Sequence, residues 1–448
     1  MKSATAVQYS RLEEALALPA PRTAFKPWLV TVVFCLVLLA PLRPAIAADN
    51  VTEWTQLAHA YGGGGSNGRT LAIMHQAMHD ALNAAQPTYA RWAPPAADEP
   101  PANGSLPHTA MYAAAHRVLL LLHPSQKVEI EFTYQMALAR DPAGPDRDAG
   151  ERLGDAIGAA AVARREKDGH TDERPFAFGS GPGAWTFTPN VFQNSNVSSM
   201  RPFLFDSGTD KDAPPPPALD SDAYRANLDE VRRLGGAKST ERTPVQTEAA
   251  FFWAFQSTQI GYVSLAVGLL DEMPRPGGEF DHARIMSQIT SAMADSAVLT
   301  WNEKERFNFW RPVTAIRAGG PGVEADPSWL PLIETPPFPE YPAGHGTDCF
   351  TGSMVLQDAF GPDLSAVTYQ SQAGDLRLSM TIGADEHVPL GGDSIAAQRP
   401  FPSLIAAAEE CAQSRIWAGV HFRSANDESR RLGTVIAKKA AAAVSPLK

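Results

Sequence analysis

The chain has 448 residues, 44% of them hydrophobic and 19% charged, with a formal net charge of -11 at pH 7. That length supplies two or three domains' worth of residues and a large core. An acidic balance of this size excludes a protein built to hold nucleic acid or anionic lipid, so any cationic cluster must be a local exception.

Residues 28–42 are an apolar run preceded by Lys2, Arg11, Arg22 and Lys26 and followed by Ala45-Ile46-Ala47. That order predicts a secretory signal over 1–47, cut before Ala48, with an uncleaved membrane anchor as the alternative. Cleavage would remove five basic and two acidic residues and leave a charge of -14. No later run is long and apolar enough to span a bilayer. The mature chain is therefore expected to be exported, periplasmic or secreted, and not membrane-embedded.

A short helix is expected over 54–60, followed by a flexible Gly-rich link from Gly62 to Arg69 that lacks the ending of a phosphate loop. Residues 71–85 predict an amphipathic helix with His75 and His79 one turn apart beside Asp80. The glutamate of a zinc-protease helix is absent and no third ligand is evident, so core histidines are expected there. Helical periodicity continues over 107–122, 127–139 and 146–168. Residues 176–205, rich in Gly, Pro, Asn and aromatics, predict a long packed loop on a site's rim, and the prolines 214–217 a stiff spacer. The expected organisation is a signal (1–47), an N-terminal helical half (48–205), a Pro-rich spacer (206–220) and a C-terminal helical domain (221–448).

In the second half, helices are predicted over 221–234, 244–255 and 260–270. Asp281 is expected to cap a long helix that delivers Lys304 to its end. A Pro-rich loop over 319–341, a helix over 345–358, a loop with Gly391-Gly392-Asp393 and a final pair of helices follow. Neither strand alternation nor a repeat is evident, which predicts a nearly all-α fold.

Three stretches carry the chemistry. In Tyr341-Pro342-Ala343-Gly344-His345-Gly346-Thr347-Asp348, Pro and Gly-His before an apolar run read as a tight turn opening a helix. The first amides and positive dipole end of that helix make an anion seat with His345 at its lip. Upstream, Lys304 and Arg311 stand seven residues apart, which in a helix is about two turns, roughly 10 Å, on one face. Downstream, Ser414-Arg415-Ile416-Trp417-Ala418-Gly419-Val420-His421 adds a third cation and a second histidine. Singly, these are ordinary surface cations or helix-start and core histidines. Together, in apolar sequence, they are costly to gather without a multiply charged anion, and a tetrahedral oxyanion is the candidate. Cys349 and Cys411 flank the last two stretches; they could pair in an oxidising compartment or remain separate buried thiols.

The order Lys-x6-Arg-Pro, Pro-x-Gly-His and Ser-Arg-x5-His resembles the signature shared by vanadium-dependent haloperoxidases and type 2 phosphatidic acid phosphatases. Segments 281–317, 336–356 and 409–433, and more loosely 71–85 and 242–255, resemble the soluble haloperoxidase branch. The resemblance implies an all-α fold of two helical bundles with the oxyanion site in the C-terminal one. It also implies vanadate as cofactor, with phosphate able to occupy the same site. His421 would bind vanadium or, in a phosphatase, attack phosphorus. Lys304, Arg311, Arg415 and the amide of Gly344, beside Ala343, would hold the oxygens, and His345 would serve as acid and base while Lys304 polarises peroxide.

The implied reactants are hydrogen peroxide, a halide and a small organic acceptor, with hypohalous acid as product. The alternatives are a soluble acid phosphatase working through a phosphohistidine, and a non-catalytic oxyanion-binding envelope protein. Residues 336–341 resemble the approach to the central motif in chloroperoxidases, with Phe338 where bromoperoxidases carry His. Three positions depart from the pattern. Ala343 replaces a serine, removing a hydrogen bond of about 1–2 kcal/mol. Ala425 stands where an aspartate orients the histidine, with Asp427 as a candidate replacement. Gln256 aligns with an acid of the chloroperoxidases.

Overall fold

The computed structural model describes residues 50–61, 65–172, 176–187, 196–210, 212–254, 257–273, 275–361, 364, 367–370, 379–382, 386–389 and 398–447. The signal-like segment 1–47, Gln256 and the Gly391-Gly392-Asp393 loop lie outside these residues. The described chain is mostly helical and forms two helical bundles, as the resemblance implied.

The first bundle is built from α1 (Asn50–Ala60), α2 (Gly65–Ala85), α3 (Pro107–Leu122), α4 (Lys127–Leu138) and α5 (Pro145–Ala163). Helix α5 approaches α3 closely because its inward positions carry no side chain. A Cβ on Gly154 would lie 2.0 Å from the Ala110 carbonyl oxygen. Helix α2 starts at Gly65, earlier than the periodicity suggests, inside the stretch read as a link. The added turn is anchored by Arg69, which donates to Asp168 at 2.9 Å and to the Arg165 carbonyl at 2.7 Å. Tertiary contacts thus override the poor helix propensity of glycine. The same ion pair explains why α5 stops at Ala163: Asp168 turns inward instead of continuing the helix. His75 and His79 are buried contacts, bonded to Thr55 at 3.1 Å and to the Ala90 carbonyl at 3.0 Å.

The second bundle comprises α6 (Asp222–Leu234), α7 (Pro244–Ala254), α8 (Thr258–Glu272), α9 (Glu279–Phe307), the short α10 (Pro312–Ala318), α11 (Gly344–Phe360), α12 (Leu404–Trp417) and α13 (Arg423–Ala443). Helix α9 packs on α2 on one side and on α11 and α13 on the other, so both bundles share it. Its N-cap is Gly278, and Asp281 sits in the first turn, where its carboxylate accepts from the Gly277 amide at 2.9 Å. One apolar core runs through both bundles, from Leu82 and Ile157 past Ile289 to Phe350 and Ile436. A smaller aromatic cluster, including Trp310, Tyr341 and Phe422, backs the candidate site. The proline run is tied to it, since Tyr341 donates to the Pro214 carbonyl at 2.9 Å.

Two antiparallel ribbons, β1 (Val367–Gln370) with β4 (Gln398–Phe401) and β2 (Ser379–Ile382) with β3 (Glu386–Pro389), were not anticipated. Strands of four residues are too short for alternation to register against the helical background. Among the described residues no helix is long and apolar enough to cross a membrane.

Candidate active site

Lys304 lies in the last turn of α9. Asn308, in the left-handed conformation (φ 45°), ends that helix with its amide on the Lys304 carbonyl at 2.9 Å. Lys304 and Arg311 are therefore not two turns apart on one helix, as their spacing suggested. The chain turns, Arg311 becomes the residue before Pro312 at the start of α10, and both cations come over the Phe338 ring, at 5.4 and 4.9 Å from its centroid.

The central motif opens α11 as expected. Tyr341-Pro342 is cis, Ala343 is the N-cap, and the Thr347 amide makes the first intrahelical bond, to the Ala343 carbonyl at 3.0 Å. The amides of Gly344, His345 and Gly346 precede that bond and have no partner within the helix. Arg415 comes from the end of α12, and the chain reverses through Gly419 (φ 79°), where a Cβ would stand 2.3 Å from the Gly235 carbonyl oxygen. The amide of His421 then donates back to the Arg415 carbonyl at 3.3 Å, which locks the two site residues together. Cys349 and Cys411, one turn from His345 and Arg415, are joined by a disulfide between α11 and α12.

Lys304, Gly344, His345, Arg415 and His421 line one cavity of about 320 Å³. Arg311 stands directly behind His421, with Nη1 donating to its Nε2 at 3.1 Å and to the Val420 carbonyl at 2.8 Å. Lys304, Arg311, Arg415 and His421 are 0–2% exposed, so their charges are removed from bulk solvent. Lys304 Nζ donates to the carbonyls of Pro339, Glu340 and Pro342 at 2.9, 2.9 and 2.5 Å, wrapping the turn that leads into α11. Burial, then the Arg311 charge, pulls its pKa well below the usual lysine range. Burial alone lowers Arg415 to about 10, and burial with the Arg415 charge lowers Arg311 to about 9.

The residue that orients His421 is Glu340. Its Oε1 lies 2.9 Å from His421 Nδ1 and accepts the Phe422 amide at 2.9 Å. With Nδ1 facing a carboxyl group and Nε2 accepting from an arginine donor, the proton belongs on Nδ1 and the lone pair on Nε2. Burial, reinforced by Arg311, Lys304 and Arg415, holds the His421 pKa well below its usual range, so the ring is neutral. Burial raises Glu340 to about 7, against the pull of Phe422, Arg311 and Lys304. Asp427, the expected replacement for the missing aspartate, is exposed on α13 and does not reach His421. Glu340 escaped the sequence reading because it sits in a Pro-rich approach rather than near His421. An acid in so apolar a stretch was the available signal.

Ala343 and Ala425, two of the departures, touch each other: the Ala343 amide donates to the Ala425 carbonyl at 3.3 Å. Ser429 donates to both of their carbonyls, at 2.6 and 2.7 Å, so it does not restore the absent hydroxyl. His345 bonds the Trp253 backbone, and its Nε2 has no partner among the described residues. Its pKa is also held well below the usual value, first by burial and then by the Arg415 charge.

The donor set fits a tetrahedral oxyanion. Among the described residues, Arg311 Nη2 and Arg415 Nε and Nη1 are buried donors with no hydrogen-bond partner, beside three helix N-terminal amides. Buried orphan donors cost about 1–3 kcal/mol each, more when charged, unless an acceptor completes them. Among the described residues no cluster of His, Cys, Asp and Glu suits a metal ion bound directly by side chains.

Fold and site together define a protein of paired helical bundles with a buried cationic cavity. Residues 284–447 match the family model described as the VCPO second helical-bundle domain. Over this segment in sequence, and over most of its length in fold, the chain is similar to vanadium-dependent haloperoxidases. It is 34% identical over 173 residues to the vanadium chloroperoxidase of Curvularia inaequalis, a match covering 32% of this chain and 28% of that protein. Among solved structures it resembles a bacterial vanadium-dependent iodoperoxidase (TM-score 0.69, 21% identity, 89% of this chain and 96% of that one). It also resembles a bacterial vanadium-dependent chloroperoxidase in its holo form (TM-score 0.58, 17% identity, 88% and 92%).

Proposed function

We propose that the chain is a vanadate-dependent haloperoxidase, which oxidises a halide with hydrogen peroxide to hypohalous acid for delivery to a small organic acceptor. The observation that carries this reading is the set of buried donors on Arg311 and Arg415, unpartnered among the described residues, beside one cavity that His345 and His421 line. The names of its relatives, chloroperoxidases and an iodoperoxidase, support it without fixing the halide. Vanadate, when bound, would supply a Lewis-acidic centre that activates peroxide toward attack by halide.

The chain's own residues have separable tasks. Arg311, Arg415 and the α11 amides bind and neutralise the oxygens, an electrostatic role that is strong because the site is buried. Glu340 fixes the His421 tautomer, so that Nε2 carries the lone pair that would bind the central atom once Arg311 Nη1 turns from it to an oxygen. His345 Nε2, unprotonated and unpartnered, is placed to take a proton from a reactant and return it. Lys304 holds the entry turn by its three carbonyl bonds and adds positive charge to the site. The Cys349–Cys411 disulfide and the signal-like 1–47 segment suit an exported protein.

The test is to load the protein with orthovanadate and supply peroxide with iodide, bromide or chloride. Halide oxidation that disappears in His421→Ala is the expected result. Hydrolysis of an aryl phosphate without vanadate, and no halide oxidation with it, would replace this reading with a phosphatase. Anion binding without either activity would leave a non-catalytic oxyanion carrier.

A further inference from the structure

One wall of the cavity has no part in holding an oxyanion. Asp348, one turn beyond His345 on α11, lines the same cavity. Its carboxylate accepts from Ser296 Oγ on α9 at 2.5 Å, and from Thr258 Oγ1 at 2.7 Å and the Gln259 side chain at the start of α8. All three donors are neutral, and among the described residues no cation pairs with Asp348. The contrast is Asp168, which is paired with Arg69 and Arg165. A carboxylate accepts about four hydrogen bonds, so Asp348 keeps both spare acceptor capacity and an uncompensated charge. Burial lifts its pKa to about 6, which leaves it largely ionised at slightly alkaline pH. The adjoining wall is aromatic: Trp301 and Phe338 both line the cavity, with ring centroids 4.9 Å apart.

We propose that Asp348, Thr258 and Gln259 form a subsite for the ammonium group of an aromatic amine whose ring packs against Trp301 and Phe338. The organic acceptor held beside the oxyanion is then an amine-bearing aromatic. The inference rests on the haloperoxidase reading for the fate of the ring, but not for the binding itself. An anionic acceptor would compete with the oxyanion for the cationic wall, and a neutral one would leave Asp348 unanswered. Once an oxyanion neutralises Lys304, Arg311 and Arg415, a ligand ammonium meets no net positive field and matches the remaining charge.

The experiment is calorimetric titration at pH 7.5 of orthovanadate-loaded protein with tryptamine and with 3-ethylindole, which has the same ring and no charge. Wild type is expected to bind tryptamine tighter by about tenfold, the scale of one charge-assisted hydrogen bond, and Asp348→Asn to reduce the difference to within about twofold. Equal binding of the two ligands by wild type, or a preference that survives in Asp348→Asn, would overturn the proposal. Vanadium content is measured on every sample. If Asp348→Asn retains no vanadium, the wild-type comparison alone decides the matter. If wild type retains none, the haloperoxidase reading fails, and the same titration on phosphate-loaded protein still decides the subsite.

Discussion

Two clusters of buried cations in this molecule differ in how their charge is answered. In the N-terminal bundle, Arg69 and Arg165 converge on Asp168 at 2.9 and 2.8 Å, and their other donors reach the carbonyls of Arg165 and Pro202. In the C-terminal bundle, Lys304 and Arg311 share one carboxylate, Glu340, and its bonded oxygen is committed to His421 and Phe422. Donors on Arg311 and Arg415 are left over. The histidines repeat the contrast: His79 Nε2 is bonded to the Ala90 carbonyl, whereas His345 Nε2 has no partner. Burial and charge alone do not mark a binding site. What separates the two clusters is that the first contains an anion that takes up its guanidinium donors, whereas in the second, among the described residues, donors on Arg311 and Arg415 are left over.

The largest effect expected from that difference is in the first cluster. Asp168→Ala strands two buried guanidinium groups and should lower the unfolding free energy by about 3–5 kcal/mol, measured by urea denaturation, with no rescue by orthovanadate. In the second cluster the logic inverts. Orthovanadate at a hundredfold excess over its Kd should stabilise wild type by about 2.7 kcal/mol. Arg415→Met should abolish that gain while leaving the anion-free protein as stable as wild type or more so, because an uncompensated charge has been removed. A loss of stability in anion-free Arg415→Met comparable to that of Asp168→Ala would erase the distinction.

Glu340 tests a finer point, since its role is to orient rather than to neutralise. Glu340→Leu should weaken vanadate binding about 10–100-fold, whereas Glu340→Gln, which keeps an acceptor for His421 Nδ1 and the Phe422 amide, should lose much less. Equal losses in equilibrium dialysis would assign Glu340 an electrostatic role instead.

The smallest effect concerns His79, whose pKa burial lowers to about 4. Between about 4 and 6.5 the unfolded chain binds a proton there that the native chain does not, so this contribution to stability is complete above 6.5 and is lost as the pH falls. His79→Gln should flatten the stability profile between pH 6 and 5 by about 1.4 kcal/mol per pH unit, read by denaturation at each pH. An unchanged slope would mean that His79 titrates normally in the folded protein.

Most of the helices were legible because their apolar stripes are long, and α9 and α11 appear where periodicity and the Pro-Gly-His turn place them. Boundaries moved where tertiary contacts override local preference, as at Gly65, held by the Arg69 ion pair, and at Phe307, where left-handed Asn308 ends the helix. Of the residues in the ordered motifs, Lys304, Gly344, His345, Arg415 and His421 line one cavity, and Arg311 lies against His421. Spacing could not reveal Glu340, because its partner is distant in sequence and close only after the chain has folded. Nor could it reveal that all three Lys304 donors engage backbone carbonyls, or that Asp348 faces the cavity with no counter-cation among the described residues.

The most direct measurement is vanadium retention per chain after equilibrium dialysis, on wild type and Arg415→Met side by side. One vanadium per wild-type chain and essentially none in the variant is the expected result. No vanadium on wild type, or equal amounts on both, would contradict an oxyanion cradle built from the unpartnered guanidinium donors.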